Sequence, residues 1–251
     1  MTPLSLRSLL WIGFFAVILL AWWYMFAMAR MAGLDWIGRP VAMSMMPGLG
    51  FGVLFVMWTV MMAAMMLPTM VPTLRSYEDL IRNADGSGAG WLGVLLGYCV
   101  VWVGFAGLIA LVQLGLVASG LIDGLGIGTS HLFTGALLVG VGAFQFSRAK
   151  QVCHGACHSP MMYFLGHWRT GFSGGLRMGL GLGAFCVGCC WGFMALGFVG
   201  GVMSLLWMGH ATVFMVVEKL PQVGHYVTKP MGFALIMAGL AVVAYPAAMG
   251  G

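Results

Sequence analysis

The chain has 251 residues, 61% of them hydrophobic and only 7% charged, where soluble domains carry about 25% charged residues. A water-soluble fold could not hide so much apolar surface, so the composition makes the bilayer the main solvent and excludes a soluble domain. The net charge of +5 comes from 11 scattered lysines and arginines, too dispersed for a nucleic-acid surface.

The expected architecture is all-α: one membrane domain over residues 1–251, a polytopic bundle of about seven spans. Residues 9–29 form the first span. They end in Ala27-Met28-Ala29, which resembles a signal-peptidase site, but the apolar run exceeds the roughly 7–15 residues of a signal-peptide core and reads as a retained helix. A connecting loop from Arg30 to Gly50 carries Arg39, Pro40 and Pro47. The second span, 51–67, stops near Pro68; Pro72 follows, so helix continuation is disfavoured. Val71 to Gly90, with Arg75, Glu78, Asp79, Arg82 and Asp85, reads as a solvated loop. The third span covers 91–119 and the fourth 131–147. A basic Cys/His loop fills 148–173. The fifth span, 174–198, carries Gly175, Gly179 and Gly183 at the spacing that lets membrane helices approach closely. The sixth, 202–217, and the seventh, 231–245, complete the set.

Basic residues set the orientation. With seven spans, Arg7, Arg75, Arg82, Arg148, Lys150, Arg169, Arg177, Lys219 and Lys229 share one side, and only Arg30 and Arg39 the other. The N-terminus and the Cys/His loop are therefore expected in the cytoplasm, with the C-terminus external. The expected location is a bacterial cytoplasmic (inner) membrane, crossed several times.

Chemistry concentrates between Lys150 and Trp191, which hold five of the six cysteines. Cys153 and Cys157 are four residues apart, as are His154 and His158, so on a helical turn each pair shares a face. Thiolate with imidazole suits zinc, monovalent copper or another thiophilic ion. Inert thiols in a loop are the plainer alternative. Cys186, Cys189 and Cys190 fall within about 100° of one helical face. Cys186 lies about 18 Å into the fifth span, near the bilayer middle. Buried cysteines also serve as small apolar filler, and Cys186-x-x-Cys189 is equally the spacing of a redox pair. A fold that turns the fifth helix towards the loop would let the two groups share an ion.

Met57, Met61 and Met65 lie within about 80° of one face of the second span, as accessory soft ligands or as packing. Glu218 ends the sixth span without a partner on its own helix; Arg148, Lys150 and Arg177 are candidate partners for an ion pair locking two helices. His210, eight residues earlier, is a candidate partner in a proton or metal relay, since intramembrane ionisable groups are functional candidates. No phosphate-binding glycine loop, Ser-His-Asp set, haem motif or paired hydrolytic carboxylates occur, and no catalytic residue is assigned.

Four motifs in order carry a family resemblance. They are Trp58-Thr59-x-Met61-Met62-x-Ala64-Met65-Met66-x-Pro68, Lys150-x-x-Cys153-x-x-x-Cys157-x-x-Pro160, Gly183-x-x-Cys186-x-Gly188-Cys189-Cys190-Trp191, and Glu218-Lys219. Over roughly Phe51 to Tyr245 the chain resembles a bacterial family of unknown function described as predicted metal-binding integral membrane proteins. The family pattern has leucine and arginine where this chain has His154 and His158. The resemblance therefore implies a site resting on the cysteines.

The leading expectation is a membrane protein that binds a soft metal ion, copper first and zinc second, for handling, insertion or transport. Its partners would be lipid, other membrane subunits or a metal-donor protein. The alternatives are a membrane thiol–disulfide electron carrier working through Cys153/Cys157 and Cys186/Cys189, and a structural subunit of a larger membrane complex.

Overall fold

A computed structural model describes residues 6–35, 50–83, 86–220 and 222–245. The loop residues Arg39, Pro40 and Pro47, and Asp85, lie outside the described residues. The described chain is all-helical, with one isolated bridge between Ile122 and Gly128.

Five helical stretches are long and apolar enough to cross a membrane: 7–31, 51–81, 88–118, 171–200 and 226–244. The first is α1 (Leu6–Met31). The second joins α2 (Phe51–Met66) through a 3-10 turn at Pro68–Met70 to α3 (Val71–Asn83). The α-helix ends at Met66, close to the expected stop at Pro68, but the chain keeps a helical path through the turn into α3. Leu67 and Val71 both keep right-handed helical angles. Pro68 opens the 3-10 turn and Pro72 falls in the first turn of α3, positions where a missing N–H costs no bond. The region read as a solvated loop is instead an amphipathic helix. Leu74, Tyr77, Glu78 and Leu80 are buried, while Arg75 and Asp79 are exposed. Arg7 and the Trp11 indole N–H both donate to Glu78, at 2.7 and 2.6 Å, and tie the start of α1 to α3.

The third stretch is α4 (Gly88–Ala118), capped by the Ser87 hydroxyl. Next, α5 (His131–Phe144) bends by 63° into α6 (Arg148–His158). After it come α7 (Pro160–His167), α8 (Gly171–Ala195) and the single turn α9 (Gly197–Gly200). The basic Cys/His loop is thus two helices, the first capped by Ser147. Gly201, at φ 91°, turns the chain towards α10 (Leu205–Glu218), a conformation side chains with a Cβ rarely adopt. With 14 residues, α10 is shorter than the roughly 20 needed to cross perpendicular to the bilayer. The chain closes with α11 (Gly224–Ala244).

Helix α8 lies against α4 almost backbone to backbone. A Cβ at Gly175 would strike the Gly90 carbonyl, and one at Gly179 the Val94 carbonyl. From the other side, a Cβ at Gly97 would strike the Leu176 carbonyl. In lipid, where no hydrophobic drive joins helices, such close dispersion contact is the main source of association. The contact fixes the height of α8 against α4 and so sets the cysteines of α8 beside Tyr98.

Candidate metal centre

Cys186, Cys189 and Cys190 are buried on α8. Cys157 reaches the same place from α6, which packs along α8. The sulfurs of Cys157, Cys186 and Cys189 lie within 4.8 Å of one another. The Cys157–Cys189 separation is 3.9 Å. Sulfurs bound to one ion at about 2.3 Å would stand about 3.8–4.0 Å apart, so the spacing is that of a shared ligand set. Cys190 places its sulfur 3.3 Å from that of Cys189.

Charged groups frame these thiols on two sides. Lys219 donates to Cys186 Sγ at 2.9 Å and to Thr69 Oγ1 at 2.8 Å. The Thr69 hydroxyl in turn donates to the Met66 carbonyl at 2.7 Å. Tyr98 Oη lies 3.0 Å from Cys186 Sγ. On the other side, Lys150 pairs with Glu218 at 2.9 Å, both side chains 1% exposed. A buried pair is tolerated only when its remaining donors and acceptors are satisfied. Lys150 also donates to the Cys189 carbonyl at 2.8 Å, and Thr228 donates to the second Glu218 oxygen at 2.9 Å. Adjacent in sequence, Glu218 and Lys219 point apart, one to the helix of Cys157 and the other to Cys186.

The remaining residues singled out in the sequence fall elsewhere. Cys153 is half-buried, its sulfur packed against Gly188. His154 turns its Nε2 to the Glu218 carbonyl at 2.9 Å, and the His158 ring lies tilted against its ring, centroids 5.2 Å apart. Met57, Met61 and Met65 are buried in the core. Arg148 and Arg177 are exposed, and Lys150 alone of the three candidates pairs with Glu218. His210 is exposed and bonds its own helix at the Leu206 carbonyl, 2.8 Å away, rather than facing Glu218. A separation of eight residues rotates the two by about 80°, enough to place one outside and the other inside.

Tyr98, Thr69 and Lys219 were not assigned to the site from the sequence. The only sequence signal was the Glu218-Lys219 pair; Tyr98 and Thr69 arrive through packing alone.

Soft, buried thiols gathered from two helices of an all-α chain are a metal-related arrangement. The model of the PpoB2 family, described as a copper chaperone, matches residues 55–242, and the chain belongs to that family. The match spans nearly the same segment as the four sequence motifs. No curated protein and no solved structure matches the chain.

Proposed function

We propose that this chain is a multi-pass membrane protein that takes monovalent copper as cargo on Cys157, Cys186 and Cys189 and passes it to a partner. One observation carries the reading: three buried thiols from α6 and α8 meet within 4.8 Å. The family's description as copper chaperones supports the choice of ion. The chemistry is compatible with it: soft thiolates suit monovalent copper as they suit zinc, and three of them are one short of the four that close a structural zinc site. Cys190, beside Cys189, is the next thiol available to an ion leaving the set. His154 and His158 stand outside it.

The membrane setting rests on the five long apolar stretches. A bacterial cytoplasmic membrane, with α6 and α7 on the cytoplasmic side, fits the basic-residue bias. Lys150 and Lys219, buried at 1% and 5% exposure, belong to the site rather than to that bias.

Elemental analysis and a free-thiol count on the purified, reduced protein test the reading. About one tightly held copper per chain is expected to survive purification, and to be lost on Cys157→Ser or Cys189→Ser, by the three-ligand argument above. No copper, with two thiols missing until reductant is added, would overturn it in favour of an electron carrier. No copper with all six thiols free would leave a structural subunit.

A further inference from the structure

A second group of sulfur-bearing residues adjoins the first through Tyr98. Met62 and Met66, four residues apart on α2, and Cys99 on α4 line one small cavity of about 70 Å³. They occupy a different face of α2 from Met57, Met61 and Met65, rotated by about 100°. Both methionines are buried and Cys99 is half-buried. The cavity is far below the roughly 300–1,000 Å³ of sites for organic ligands, so neither a lipid chain nor a cofactor fits. An ion, or one or two waters, does.

Two polar atoms mark it as more than a packing void. Trp102, 3% exposed, and Thr59 both line the cavity. The Trp102 indole N–H and the Thr59 hydroxyl have no hydrogen-bond partner among the described residues. Buried donors left unmatched are rare because each costs about 1–3 kcal/mol. Both are donors and take an acceptor such as water; the three sulfurs are what would hold an ion. Thioethers and a thiol select monovalent copper over zinc, and an aromatic face such as that of Trp102 attracts a cation.

Tyr98 is the wall between the two groups. It lines the cavity while its hydroxyl stands 3.0 Å from Cys186 Sγ. We propose that Met62, Met66 and Cys99 form a second, transit site for monovalent copper, exchanging ions with the three-cysteine set past Tyr98. The inference rests on the copper reading of that set.

The test is anaerobic titration of the full-length protein in detergent with copper(I) against a chromogenic chelator, with X-ray absorption to count sulfur neighbours. Three proteins are compared: wild type, Met62→Leu/Met66→Leu/Cys99→Ser, and Cys157→Ser/Cys189→Ser. The expected result is two ions for the wild type, the weaker one lost in the cavity variant and the tighter one in the cysteine variant. The cavity variant should also release its remaining ion to the chelator at least tenfold more slowly. Retention of the tight ion reports that this variant is folded. One ion in the wild type, held and released unchanged in the cavity variant, overturns the transit site and leaves the three-cysteine reading standing. Two ions that both persist in the cavity variant overturn it as well. No copper on the wild type overturns both readings.

Discussion

At the scale of single residues, a costly arrangement among the described residues is the Lys150–Glu218 pair, at 1% exposure on each side. Two ions taken out of water must be repaid by geometry, and here every neighbouring group contributes. The Cys189 carbonyl and the Thr228 hydroxyl complete the shell. Lys150→Met alone is expected to strand a buried carboxylate and destabilise the fold by about 3–5 kcal/mol. Lys150→Met with Glu218→Leu should recover most of that loss, read as denaturation midpoints in one detergent. Equal losses in the single and double variants would show that the ion pair itself is not what matters there.

Cysteines divide at the same scale. Cys153 lies against Gly188, and Cys157 one turn later reaches Cys189 at 3.9 Å. Cys153→Ser is expected to keep its copper and Cys157→Ser to lose it, by metal analysis of the two purified variants. Sequence spacing put both thiols on one face, and i, i+4 neighbours do share a face. Which turn of that face meets the cysteines of α8 depends on how far α6 slides along it, and no local signal records that.

At the scale of elements, prolines and charges misled where periodicity would have served. Met66 to Leu80 keeps its buried side at three- and four-residue intervals, through Met70, Leu74 and Tyr77. That is a helical period, and it runs straight through Pro68 and Pro72. The 3-10 turn there has a use: it presents Thr69 to the Lys219 ammonium at 2.8 Å. The glycines of α8 were legible because their spacing of four has a direct meaning in lipid. Gly179→Leu is expected to destabilise the bundle by at least about 1–3 kcal/mol, since its Cβ meets the rigid Val94 carbonyl. Gly104→Leu on α4, where a Cβ meets nothing within 4 Å, should leave the melting temperature unchanged. A matched loss at both positions would refute close α4–α8 packing.

At the scale of the whole molecule, the site closes only when α2, α4, α6, α8 and α10 are all in place, because each supplies or supports one contact. Binding there should therefore couple to global stability. Copper(I) at a hundredfold excess over its dissociation constant is expected to add about 2.7 kcal/mol. That gain should appear as a rise of several degrees in melting temperature, absent in Cys186→Ser. A wild-type melting temperature indifferent to copper would mean that the ion, if bound, sits on a surface the fold does not need.

The sequence by itself determined the helical class, the apolar solvent, the long apolar helices and the cysteines as the place to look. These follow from composition, period and spacing, which are local properties of the chain. Only the tertiary structure decided that Cys157 rather than Cys153 joins the sulfurs of α8, that Lys150 rather than Arg148 answers Glu218, and that Tyr98, Thr69 and Lys219 surround Cys186. Those choices depend on the slide and rotation of one helix against another. Backbone contact between the glycines of α4 and α8 sets them for one pair, and burial of a single ion pair sets them for α6 against α10.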